Sequence, residues 1–392
     1  MRSATRFTKV LLVAIAAIHL CLPATLWAQN NSAAPGRPIN LLVLGDSILW
    51  GQGLKEEHKA WRQVSDWLKE ITGREVREKI EAHSGAVIGT NSDPAGNGAT
   101  RLDGEVNRAT PTVYEQIDDA LRSFSDPAHV DLVLVDGCIN DIDARRLLNA
   151  SNTPAGIRQL AEAKCGAPVE ALLDRVASAF PSAHVILTGY YPIISEKTSN
   201  DLFMRALTRK LYTPEPGTHH KSDKELRHRL IEISREWYQV SNQKLAEAAR
   251  AVDAKLGAKG SPQRVLFARV DFLPEYSFGA HDSRLWGFDA SFIRKMIVIL
   301  AFGRVSIRTN DETRDQRSDS CKQALRRSDG ETKEQKRARE WRIMLCRLAA
   351  IGHPNRRGAL TYTDAISRQL KPLINAGWLG GPRLLSPSKS SP

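Results

Sequence analysis

The sequence predicts a three-layer α/β/α sandwich around a mainly parallel sheet of about five strands. Two observations carry that expectation. Short apolar runs with no polar face recur along the chain: Ile39 to Leu44, Asp131 to Val135 and His184 to Thr188. Segments of helical periodicity alternate with them. Runs that are apolar on both faces read as buried strands of a parallel sheet. They stop at Gly45-Asp46-Ser47, Asp136-Gly137 and Gly189. In open α/β sheets, ligands bind where such strands end.

The elements follow in order. A leader comes first, at residues 1–28. Arg2, Arg6 and Lys9 form its basic start. Val10 to Leu22 is an apolar stretch too short for a comfortable membrane span, and Leu26-Trp27-Ala28 offers cleavage after Ala28. Leu26 is less than ideal there, and an uncleaved anchor is the alternative. Cys21 follows Leu20 rather than a small residue, which argues against a lipid anchor. A spacer covers residues 29–38. The main domain is expected over residues 39–375, with a charged insertion at about 304–340 and a C-terminal tail over residues 376–392 whose end, Ser386 to Pro392, is Ser/Pro-rich.

Within the domain, Ile39 to Leu44 is the first strand. Trp61, Val64, Leu68 and Ile71 fall on one face of a helix over about Ala60 to Thr72, ended near Gly73. Glu75 to Ala82 is the second strand. Asn91 to Gly104, rich in Gly, Asn and Asp, is a loop. Helices are expected at Val113 to Phe124, Pro168 to Phe180, about Lys224 to Leu256, Lys333 to Ala350 and Arg357 to Leu370. The remaining strand is Val265 to Arg269.

Loss of the leader removes one of the five cysteines. Cys138, Cys165, Cys321 and Cys346 remain, an even number in a chain read as exported. Local pairing, Cys138 with Cys165 and Cys321 with Cys346, is expected, at about 3 kcal/mol per bridge. Buried free thiols are the alternative. The formal charge of +12 falls to +9 without Arg2, Arg6 and Lys9. Between Arg304 and Arg357, fifteen Lys or Arg face eight Asp or Glu. The two signs interleave, as a solvated helix face would have them, while leaving room for peripheral contact with anionic surfaces. No zinc finger, RNA-recognition motif or aromatic-basic stripe points to nucleic acid. His219, His220 and His228 lack the spacing and carboxylates of a metal site.

Ser47 is a candidate nucleophile, because rigid backbone at a strand end presents its hydroxyl. The alternative is a plain turn of Gly, Asp and Ser. Nucleophilic serine also needs a base and donors for a developing oxyanion. Ala82-His83-Ser84-Gly85-Ala86 and Gly137-Cys138-Ile139-Asn140-Asp141 stand at two further strand exits. Gly352-His353-Pro354-Asn355 precedes the last helix. Asp46 reads as a turn residue and Asp141 as a loop holder. His83 lines the crevice. Phe272 to Ala280 and Leu285 to Phe288 form a pocket wall or lid, or ordinary core.

These blocks, in this order, resemble the SGNH, or GDSL-type, hydrolase family: Gly-Asp-Ser, a glycine in the second block, Gly-x-x-Asn-Asp, and His-Pro-Asn-x-x-Gly. The resemblance runs from Ile39 to about Leu370. It implies the flavodoxin-like fold of that family and an exported serine esterase or lipase that needs no cofactor and binds no metal. Ser47 would be nucleophile and His353 base. Ser47 N–H, Gly85 N–H and the Asn140 amide would form the oxyanion hole. Substrates would be small-molecule, lipid or polysaccharide esters, handled by a monomer. A polysaccharide O-acyl esterase, an acyltransferase and a non-catalytic surface-binding protein on the same scaffold are the alternatives. One position departs from the family pattern: the residue three before the histidine is Ala350, not Asp. The main-chain carbonyl of Ala350 or a neighbour, as some members use, or a distant acid such as Asp282 or Asp364 would orient His353. An inactive relative is the remaining reading.

Overall fold

A computed structural model describes residues 36–89, 102–213, 221–289 and 308–380, and the fold proper begins at Pro38. The leader, most of the spacer and of the loop at 91–104, His219, His220 and the tail from residue 381 lie outside the described residues. So does the end of the segment after Asp289.

Five strands form one parallel sheet in the order β2-β1-β3-β4-β5. They are β1 (Ile39–Leu44), β2 (Val76–Ile80), β3 (Leu132–Val135), β4 (His184–Thr188) and β5 (Val265–Ala268). The central β1, β3 and β4 are buried along nearly their whole length, which is why they read as unbroken apolar runs. The edge strand β2, Val-Arg-Glu-Lys-Ile, is half-exposed and accordingly polar. β1 pairs with β3 so that Leu44 lies opposite Val135. The residues that leave these two strands, Gly45-Asp46-Ser47 and Asp136-Gly137, are therefore neighbours at the same edge of the sheet.

Ten helices are described. A four-residue α1 (Ser47–Trp50) begins at the first strand exit, and α2 (Ala60–Thr72) follows. Next come α3 (Val113–Ser123), α4 (Pro154–Cys165), α5 (Ala167–Ala179), α6 (Leu202–Leu211) and α7 (Asp223–Ala258). The last are α8 (Arg314–Ala324), α9 (Lys333–Arg347) and α10 (Arg356–Asn375). Helix α10 packs on β4, β5 and α2, whereas α3, α5 and α7 pack on β1, β4 and β5 and, with α4, on one another. These two groups are the outer layers of the sandwich. Both expected disulfides form, Cys138–Cys165 and Cys321–Cys346.

Four helices were not expected: the one-turn α1, and α4, α6 and α8. Helices α4 and α6 carry ordinary signals, Thr153 and Asp201 as N-caps whose side chains accept from Gly156 N–H and Met204 N–H. Helix α8 is different. Its buried positions are Arg317 and Cys321, four residues apart, so one face is internal without being apolar. The reading of the insertion as a solvated surface holds for α9, of which Cys346 is the buried residue. It is corrected for α8, where an ion-paired arginine lies in the interior. The aromatic segments resolve as core: Phe272, Phe278, Leu285 and Trp286 are buried in the main cluster.

Candidate functional site

Backbone geometry at the end of β1 is fixed from several sides. Gly45 N–H donates to Gln116 Oε1 of α3 at 2.7 Å, and the same amide returns a bond from Nε2 to Gly45 O at 2.9 Å. Asp136, leaving β3, accepts from Asp46 N–H at 2.6 Å and from Leu49 N–H at 3.0 Å. It lies so close that a Cβ on Gly45, at φ +128°, would stand 1.9 Å from Asp136 Oδ1. Asp46 accepts from Ile48 N–H at 2.9 Å and so caps α1, as expected of a turn residue. Its other oxygen accepts from Tyr190 O–H at 3.0 Å. Burial raises the Asp46 carboxyl to about 6. Burial and the neighbouring Asp46 charge push Asp136 well above the ordinary carboxylate range.

The Tyr190 hydroxyl also accepts from Ile139 N–H at 3.3 Å. One phenol thus ties the Ser47 block to the loop that carries Asn140. That loop is welded to the end of α4 by Cys138–Cys165. Asn140 Nδ2 donates to Ala86 O at 2.9 Å, which places Asn140 beside the Gly85 turn. Asp141 accepts from Ile88 N–H at 3.3 Å and holds the same loop. The turn is anchored in its own right by His83 N–H to Gly45 O at 3.0 Å. The backbone N–H groups of Ser47 and Gly85 make no hydrogen bond among the described residues.

His353 lies 306 residues from Ser47 in sequence, yet its Nε2 is 2.7 Å from Ser47 Oγ. Four contacts hold the turn that presents it. Trp286 N–H donates to His353 O at 2.7 Å, and Gly352 N–H to Trp286 O at 2.9 Å. Leu285 bridges to Pro354, and Tyr191 O–H donates to Gly352 O at 2.8 Å. Asn355 then caps α10, accepting from the N–H groups of Arg357 at 3.0 Å and Gly358 at 3.2 Å.

The Nδ1 atom of His353 is buried and has no hydrogen-bond partner among the described residues. The Ala350 carbonyl is engaged instead by His353 N–H, at 3.0 Å. Burial pulls the imidazole down to about 4, helped by the Arg317 charge; the carbonyls of Ala350, Ile351 and Ala349 pull the other way. His353 keeps part of its surface open to solvent, which tempers that depression. Neither distant acid serves the ring. Asp282 pairs with Arg357 at 2.5 Å, and Asp364 faces solvent on α10.

The structure therefore gathers Ser47, Gly85, Asn140 and His353, and Asp136, Tyr190, Tyr191, Trp286 and Arg317 join them as supports. Asp136 was visible as the residue ending β3. Tyr190, Tyr191 and Trp286 carried no local signal, because each acts across more than fifty residues of sequence, and Arg317 reads as surface charge.

The sequence matches the GDSL-like Lipase/Acylhydrolase family over residues 43–253. No curated protein matches it significantly. Among solved structures it is similar to a phospholipase A1 from Streptomyces albidoflavus, at 15% identity, covering 66% of this chain and 89% of that one, with a TM-score of 0.37. An extracellular lipase from Streptomyces rimosus gives 14%, 63%, 87% and 0.38 for the same quantities. A family two carbohydrate esterase from Clostridium thermocellum gives 10%, 63%, 58% and 0.31. The family match covers more than half of the chain and does not rest on these likenesses.

Proposed function

The chain belongs to the GDSL-like lipase/acylhydrolase family and is an ester hydrolase, and from that premise we propose an exported serine esterase working through Ser47 and His353. The observation that carries the mechanism is the 2.7 Å contact between Ser47 Oγ and His353 Nε2 at the end of a central strand. That is hydrogen-bond reach for a nucleophile and its base.

Ser47 Oγ attacks the ester carbonyl while His353 Nε2 takes its proton. The carbonyl oxygen becomes an oxyanion, met by Ser47 N–H, Gly85 N–H and the Asn140 amide. Asn140 has two amide protons and spends one on Ala86 O, so the other is available. Collapse expels the alcohol, protonated by His353, and leaves an acyl-serine. Water, deprotonated by the same imidazole, attacks that ester. A second oxyanion collapses to the carboxylic acid and free Ser47. When the ring is cationic, the carbonyls around it stabilise the charge in place of an acid.

Export is supported by the leader-like start of the chain and by two disulfides, which persist in oxidising compartments. The test uses a fluorophosphonate probe and p-nitrophenyl esters of rising acyl length. Labelling and turnover are expected in the wild type. Both should vanish in Ser47→Ala, with turnover down by at least about 10,000-fold and the folded state intact. Ester turnover that survives Ser47→Ala, or a folded wild type that neither labels nor turns over, refutes the proposal. The acyl-length profile then separates lipase from short-chain esterase.

A further inference from the structure

We propose that the charged insertion is an ion-pair clamp that sets His353 against Ser47 in place of the missing acid, with Arg317 as its positioning residue. The proposal rests on the roles given to Ser47 and His353 above.

Arg317 is fully buried, and its bonds tie its own segment to Glu105 and to Arg347. Its Nη1 donates to Glu105 Oε2 at 3.0 Å and to Asp311 Oδ1 at 2.9 Å. Its Nη2 donates to Asp311 Oδ2 at 2.6 Å and to Thr309 Oγ1 at 3.2 Å. Its Nε donates to Arg347 O at 3.2 Å, at the end of α9 and just before the His353 turn. The guanidinium presents five N–H donors in a planar fork, enough for these five bonds at once, whereas an ammonium has three donors on one nitrogen.

The carboxylates lead to the other half of the pair. Glu105 accepts from Trp50 Nε1 at 3.1 Å and from Gln52 Nε2 at 2.8 Å, both on the segment that follows Ser47. Glu312 N–H donates to Gly53 O at 3.0 Å, and the Glu312 carboxylate takes Lys55 N–H at 2.9 Å. The same carboxylate pairs with His58 and with Arg356 at the start of α10. An unbroken path of bonds thus runs from the residues after Ser47, through Glu105 and Arg317, to Arg347 and the turn. Cys321–Cys346 locks α8 to α9 beside it and packs on Val106, the neighbour of Glu105.

The same packing accounts for Ala350. Gly53 presses on the turn so closely that a Cβ there would stand 2.9 Å from Ala350 Cβ and 3.0 Å from Asp311 Cβ. Asp311 thus lies close to where a carboxylate at position 350 would go, and its charge is already matched to Arg317. The other charged groups around the turn are Arg284, whose carbonyl accepts from Asn355 N–H, and Arg357, paired with Asp282.

Two variants test the clamp, alongside Ser47→Ala as control. The triple variant Arg317→Met, Asp311→Asn, Glu105→Gln removes the three ions of the cluster together, leaving buried Lys59 with Glu56 and Asp103 as its acidic neighbours. Arg317→Lys keeps the charge but loses the fork. With native near-ultraviolet circular dichroism, the triple variant should lose about 100-fold in kcat and in labelling rate, with KM within about threefold, since misplacing a reacting group by about 1 Å costs that much. The acid limb of its pH–rate profile should move up as the Arg317 charge leaves the ring. Arg317→Lys should lose about 10-fold in kcat by the same misplacement and keep the limb where it was. A folded triple variant with wild-type kcat and limb overturns the clamp. If the triple variant does not fold, Arg317→Lys decides: unchanged kcat overturns the clamp, and a selective loss in kcat supports it. If Ser47→Ala is inactive while both clamp variants work normally, the clamp alone falls. If Ser47→Ala remains active, the clamp falls with the reading it rests on.

Discussion

Ser47 leaves a central strand and is held by groups that the sheet itself brings near. β1 and β3 are in register, so Asp136 arrives beside Asp46 and Leu49 and takes both of their N–H groups. His353 leaves no strand. Its turn is fastened by Trp286, Tyr191 and Leu285, and beyond them by the insertion. The first half of the pair is thus a product of topology, as strand ends in parallel sheets generally are. The second half is a product of long-range tertiary contacts, any one of which can be changed without touching the sheet. The one departure from the family pattern that the sequence reading expected, Ala350, falls on the side where other contacts can take over.

The largest expected effect sharpens the serine side of this contrast. Asn140→Ala removes the side-chain donor of the proposed oxyanion hole while leaving Ser47 and His353 bonded. It should cost about 100- to 1000-fold in kcat with little change in KM, because the donor matters once charge develops. Steady-state kinetics on a p-nitrophenyl ester would show it. A loss confined to KM would mean that Asn140 binds substrate rather than the oxyanion.

A smaller effect follows from Asp136, and it concerns folding rather than turnover. Asp136→Ala strands the buried N–H groups of Asp46 and Leu49, each worth about 1–3 kcal/mol. Part of that is returned because a carboxyl held well above its ordinary pKa is removed. A net loss of about 2–3 kcal/mol is expected by urea denaturation, with Asp136→Asn losing less because it keeps one acceptor. If the alanine variant is as stable as the wild type, the strand-end network is not what holds the serine.

This contrast also explains what could be read in advance. The strands and their exits were legible because burial on both faces leaves an apolar run that ends at a turn residue, as at Leu44 and Val135. The four blocks of the site were legible because each is local. Helix α8 was not, since Arg317 fills an interior position through charge pairing, which hydropathy counts as surface. Nor were Tyr190 and Trp286. Tyr190 sits at a strand exit, where Gly189-Tyr190-Tyr191 gives no hint that its hydroxyl reaches Asp46 144 residues away. Trp286 supports the turn through its backbone N–H and C=O, so its bonds to His353 and Gly352 carry no side-chain signature at all. The partner of Nδ1 was sought among carboxylates. The structure leaves that atom among carbonyls, with an arginine nearby.

The smallest effect separates the two halves by the sign of their pH dependence. On the histidine side, burial and Arg317 bring the ring down to about 4. The ordinary value for the unfolded chain is about 6.5. Above that pH both states are neutral and the group contributes nothing. As pH falls from about 6.5 toward 4, the unfolded chain takes up a proton that the folded chain refuses, so stability declines. His184, also pulled down to about 4 by burial, adds to the same trend. On the serine side the sign is reversed. Asp46 is raised to about 6 and its neighbour Asp136 well above the ordinary carboxylate range, so the folded chain keeps protons that the unfolded chain has lost, and stability declines as pH rises above 3.8. The two trends oppose each other in the same window, so Tm should change little between about pH 4 and 6, less than either side alone would impose. Replacement separates them: with His353→Gln, Tm should fall as pH rises through that window more clearly than in the wild type. In the active enzyme the same depressed imidazole should keep the base neutral below pH 6.5, so the acid limb of kcat/KM should lie below the ordinary histidine value. A limb at or above 6.5 would mean that the ring gains a stabilising partner in the working enzyme that offsets burial and Arg317. The histidine side would then be no less bonded than the serine side.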